Sequence, residues 1–179
     1  MVFLDLTQQN MSYEINILVV NQEFPVRVPF ESSIILQNEV DNADCFVRYH
    51  SVWPFLSSVK GILYTLVQEW FEDYYSSFPL CDSEFENQID GNEMPTWIEE
   101  EARQNMTALL IKESVVEDFK RIVRHLLYTS PNGLIVFHSR YEGGDREIIF
   151  GTMSIELFFE LLEQKKIYFN TGYIIDRRL

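Results

Sequence analysis

His138 and Arg140 stand one residue apart in the segment Gly133-Leu-Ile-Val-Phe-His-Ser-Arg-Tyr141. An imidazole beside a guanidinium is a combination that can cleave a phosphodiester, because the imidazole moves protons near neutral pH and the guanidinium holds the phosphate. Strand alternation places both side chains on a solvent face opposite Phe137, a pattern that an ordinary sheet surface also produces. A small phosphodiesterase or nuclease-like enzyme using these two residues is therefore the alternative reading. His50 and His125 add little, and His125 reads as a partly exposed helix residue. The chain holds no phosphate-cradling glycine loop, no zinc-protease histidine pair and no nucleophile elbow. Gly143-Gly144 is too short to wrap a phosphate. Asp82 to Gly91 resembles a calcium loop only loosely, lacking the fixed alternation of acidic ligands. The expectation is no catalytic residue, no cofactor and no metal.

The charge distribution is more specific. The 179 residues carry 14 Lys+Arg against 28 Asp+Glu, a formal net charge of −14. Residues 1–105 hold 18 acidic and 4 basic side chains, whereas residues 106–179 hold 10 of each, so the whole excess lies in the first part. From Glu72 to Glu101 there are ten carboxylates and no Lys or Arg. A field of one sign repels nucleic acid and anionic membranes, and it speeds encounter with a cationic protein. Aromatic residues interleave with it. Asp82, Glu84, Glu86, Asp90, Glu93, Glu99 and Glu100 are accordingly the candidate partner-binding carboxylates, with Phe85 and Trp97 as apolar anchors. A solvated loop kept acidic for solubility is the plainer alternative.

The elements that must position these residues read as one α+β domain over 1–179. It has an antiparallel sheet with strands early and late and a central group of helices. Tyr13–Val20 is short and rich in β-branched residues, as a strand requires. Phe24–Val28, flanked by Pro25 and Pro29, belongs at a sheet edge or in a loop. Ser33–Gln37 and Cys45–Tyr49 are further strand candidates. Apolar residues at three- and four-residue steps from Phe55 to Tyr74 predict a long core helix, with Pro54 in its first turn and Trp70 buried. An aperiodic acidic loop follows over about 76–95. Thr96 with Glu99, and Ser114 with Glu117, have capping-box spacing and predict two more helices. The second of these has a stripe of Val116, Phe119, Ile122, Val123, Leu126 and Leu127. Gly133–Tyr141 and Arg146–Phe150 predict a hairpin around Glu142–Asp145. Ser154 caps a helix to about Lys166, and Ile167–Phe169 and Tyr173–Ile175 supply closing strands.

Apolar residues make up 46% of the chain and 15% are aromatic, which excludes global disorder. The first residues lack a signal-peptide pattern, and Cys45 and Cys81 read as buried small hydrophobes, so a cytoplasmic location without a membrane partner is expected. The acidic stretch DSEFENQIDGNEMPTWIEEE and the tail from Gly133 to Ile175 together resemble, as a whole-chain profile, the immunity proteins of bacterial contact-dependent inhibition and polymorphic toxin systems. That resemblance implies a binding protein that neutralises a cognate basic toxin domain, often a nuclease, by occluding its substrate cleft. It implies no direct nucleic-acid contact and leaves the oligomeric state open. A nucleic-acid mimic aimed at another enzyme is the runner-up within the same class.

Overall fold

The structure is a computed structural model that describes residues 13–41, 58–71, 74–82, 100, 107–141 and 148–179. Among these, seven strands form one mixed sheet with two α-helices. The strands are β1 (Tyr13–Val20), β2 (Ile35–Asn38), β3 (Gly61–Phe71), β4 (Tyr74–Ser76), β5 (Leu134–Tyr141), β6 (Ile148–Met153) and β7 (Thr171–Asp176). The helices are α1 (Val116–Thr129) and α2 (Ile155–Glu163). The order across the sheet is β2-β3-β1-β5-β7-β6, with β4 paired to β3. Every pairing is antiparallel except β6 with β7, so the expected antiparallel sheet is in fact mixed.

β1 occupies the range its sequence predicts. Phe24–Val28 is loop rather than strand, and the Val26 N–H donates to the Tyr64 hydroxyl at 2.9 Å instead of to a ladder. The long core helix expected from Phe55 to Tyr74 is not there: residues 61–71 are strand β3. Ile62, Tyr64 and Leu66 point into the helix-covered core while Leu63, Thr65 and Val67 point to the other face, and all six are buried. A strand buried on both sides shows a continuous apolar run, which three- and four-residue steps also fit. Its start demands glycine, since Gly61 has φ +148° and a Cβ there would lie 2.2 Å from the Val19 carbonyl oxygen.

The hairpin expected across Glu142–Asp145 is also corrected. β7 lies between β5 and β6, and α2 carries the chain over to make the parallel β6–β7 pair. Parallel neighbours need such a crossover. The Ser154 cap does form, its hydroxyl accepting the Leu157 N–H at 3.2 Å. α1 starts at Val116 without a side-chain cap, so the Ser114–Glu117 spacing does not act as a capping box. Its predicted stripe is buried apart from the half-buried Val116. Residues 107–112, which follow the helix predicted at Thr96, make two isolated antiparallel bridges, Ile111 with Cys81 and Ala108 with Tyr168. Ile167–Phe169 makes only that last bridge, leaving β7 as the closing strand. Cys45–Tyr49, Pro54 and the start of the Thr96 helix lie outside the described residues.

Both helices pack on one sheet face, where the core gathers. Phe137 at its centre has ring neighbours Phe158 at 4.9 Å, Phe119 at 5.9 Å and Tyr173 at 6.4 Å. Burial of such aromatic rings dominates the stabilising apolar area.

Candidate functional site

On the sheet face away from the helices, the pairing register places polar residues side by side. Asn16 of β1 is the direct neighbour of Thr65 on β3 and of His138 on β5, and Glu14 is the neighbour of Arg140. The Thr65 hydroxyl donates to Asn16 Oδ1 at 2.7 Å, and the Asn16 amide donates to a Glu14 carboxylate oxygen at 3.2 Å. Leu18, Leu63 and Val136 continue the same face as a small apolar cluster.

His138 is 0% exposed, so it is not on the solvent face that alternation alone predicts; Arg140 is half-buried. The centre of the sheet is covered on both sides, and alternation then separates two interiors rather than an inside from an outside. Burial, and secondarily the Arg140 charge, lower the His138 pKa to about 3. A neutral imidazole with that pKa holds no proton to give at neutral pH, and complete burial keeps it from a macromolecular substrate. The geometry therefore places His138 and Arg140 together, as the sequence does, but with His138 inside the sheet layer and Arg140 half-buried at its margin.

The acidic surface presents differently. Asp82 and Glu100 are exposed; Glu84, Phe85, Glu86, Asp90, Glu93, Trp97 and Glu99 lie outside the described residues. At the head of the cation-free stretch, β3 and β4 form a hairpin with a bulge between Glu69 and Phe71. Trp70, expected in the core, is 46% exposed and stacks at 5.1 Å and 34° on Phe78, itself 41% exposed. Glu69 is exposed, and its cross-strand neighbour Tyr75 is 39% exposed. Ser77 secures this end. Its hydroxyl accepts the Ile15 N–H at 3.1 Å and donates to the Leu66 carbonyl at 2.7 Å, where β1 leaves β3 and β4 takes its place.

Sequence reasoning set Tyr75 and Phe78 among the aromatics interleaved with the acidic stretch but missed Trp70 as a surface residue, because the helix reading turned it inward. The available signal was the sequence Gln68-Glu69-Trp70-Phe71-Glu72, in which polar residues flank the rings. On α1, Arg121 lies over the Phe30 ring at 4.0 Å and Arg124 over Phe159 at 4.7 Å, and Arg121 also pairs with Asp118 at 3.2 Å. Asp118 accepts from the Ser33 N–H at 3.0 Å and from the Ser32 hydroxyl at 3.1 Å, contacts that hold its carboxyl below the usual range.

Among the described residues, no group of three His, Cys, Asp or Glu side chains is placed to hold a metal, and no helix is long and apolar enough to cross a membrane. Fold and surface thus define an α+β chain with an acidic, aromatic-bearing hairpin end. No family model, curated protein or solved structure matches it.

Proposed function

We propose that the chain is a binding protein that neutralises a basic toxin domain, in the manner of an immunity protein, by covering that domain's substrate cleft with its acidic surface. The observation that carries this reading is the stretch from Gly61 to Ala102, which holds eleven carboxylates and no Lys or Arg. A nuclease cleft is lined with cations that meet phosphate, and a carboxylate surface offers the same complement. Rim carboxylates steer the encounter, and apolar anchors inside the rim slow dissociation. Asp82, Glu84, Glu86, Asp90, Glu93, Glu99 and Glu100 supply the rim in this reading, with Phe85 and Trp97 as anchors.

The test is co-expression of this chain with the C-terminal domain of a large secreted protein encoded beside it. Growth and intact cellular nucleic acid are expected only when this chain is present. Killing at equal level with and without it contradicts the reading.

A further inference from the structure

We propose that Asn132 is a modification site gated by the fold: the turn Ser130–Gly133, which joins α1 to β5, keeps the Asn132 side chain from cyclising onto the Gly133 amide, so isoaspartate at position 132 marks chains in which this turn has opened. The inference is independent of the acidic-surface reading. Asn132-Gly133 is the only Asn-Gly pair in the 179 residues. Asparagine is a thermolabile residue, and glycine after it puts no side chain in the way of the reaction. The Gly133 nitrogen gives up its proton and attacks Asn132 Cγ. An N–Cγ bond forms as the Cγ–Nδ2 bond breaks, and Nδ2 leaves with one proton as ammonia. Water then opens the resulting succinimide at one carbonyl or the other, leaving aspartate or isoaspartate.

The folded turn withholds both reacting groups. The Gly133 N–H donates to the Ser130 carbonyl at 3.2 Å, and the Gly133 carbonyl accepts the Arg177 N–H at 2.9 Å. Gly133 is buried with φ +68°, and the Arg177 side chain packs so closely that a Cβ there would meet it at 3.2 Å. On the other side, the Ser130 hydroxyl accepts the Leu134 N–H at 3.1 Å. It lies 3.1 Å from Asn132 Oδ1 and 2.8 Å from the Leu134 carbonyl oxygen. A nitrogen held in this way cannot turn its lone pair onto Asn132 Cγ while the turn is closed. Cyclisation therefore waits for local opening, and its rate is the open-chain rate multiplied by the open fraction. The product lengthens the backbone by one carbon just ahead of β5, the strand between β1 and β7, so the mark falls where the sheet depends on its register.

The experiment incubates the full chain at mildly alkaline pH, folded and in guanidinium chloride, and follows isoaspartate at residue 132 by peptide mapping. The folded chain should accumulate it at least about tenfold more slowly. Ser130→Ala, which removes the hydroxyl contacts to Asn132 and Leu134, should deamidate faster under native conditions and at the parent rate in guanidinium chloride; circular dichroism checks its fold. Equal rates for the folded and denatured parent overturn the proposal, as does a folded variant that deamidates no faster than the parent. If the variant does not fold, hydrogen exchange at the Gly133 amide of the parent decides. Protection there supports the gated site, and exchange as fast as in the denatured chain overturns it.

Discussion

Acidification should destabilise this protein through His138 before its carboxylates matter. The imidazole is fully buried between β1 and β7, and its pKa in the folded chain is lowered to about 3, against an ordinary value of 6.5. The unfolded chain therefore takes up the proton first. The stability is intact above pH 6.5 and is lost progressively as the pH falls toward 3. At about 1.4 kcal/mol per pH unit below 6.5, acidification from pH 7.5 to 5 should remove about 2 kcal/mol. Asp176, held down to about 2 by hydrogen bonds from Arg178, and Asp118 act only at lower pH, where unfolded carboxylates begin to protonate. Urea denaturation at half-unit steps from pH 7.5 to 5 measures the slope, with His138→Gln as reference. The variant loses stability at every pH but should lack the histidine slope. Identical slopes in the two proteins would refute the claim that His138 is buried uncharged.

Phe137→Ala should cost about 3–5 kcal/mol in urea denaturation, as for a fully buried ring, whereas Trp70→Ala should cost about 1 kcal/mol or less; equal losses would contradict the strand assignment of 61–71. Ser154→Ala should cost about 1 kcal/mol through its lost cap, while Ser114→Ala should be near neutral, a contrast visible in thermal melts. Ser77→Ala strands the buried Ile15 N–H, takes away a donor to the Leu66 carbonyl, and should cost about 1–3 kcal/mol. Retained amide protection at Ile15 in hydrogen exchange would refute that role.

The legible parts of this fold are those with a local signal. Ser154 announces α2, and the spacing of Phe119, Ile122, Val123, Leu126 and Leu127 announces α1, because one helix stripe meets one core. β1 is recognisable by composition. β3 is not, since its two buried faces erase the alternation that marks a half-exposed strand. The insertion of β7 between β5 and β6 is a long-range pairing, which Gly143-Gly144 cannot encode. The same cause hid the polar neighbours of His138 and Arg140. Asn16 and Glu14 on β1, and Thr65 beyond Asn16 on β3, are far from them in the chain, and only the register of β1 against β3 and β5 brings them together. The acidic charge was fully legible, as was the place of Phe78 among the aromatics interleaved with it; the exposure of Trp70 was not, because it depends on where β3 ends.

The association rate of this chain with the basic toxin domain proposed as its partner, measured by stopped flow at two salt concentrations, tests the central claim most directly. The comparison is with a variant carrying Glu84→Gln, Glu86→Gln, Asp90→Asn and Glu93→Gln together. Steering by exposed carboxylates is screened within about 8 Å at physiological salt, so the variant should associate more slowly, with a flatter salt dependence and a similar dissociation rate. An unchanged association rate and an unchanged salt slope would contradict the account and leave the acidic stretch with no part in binding.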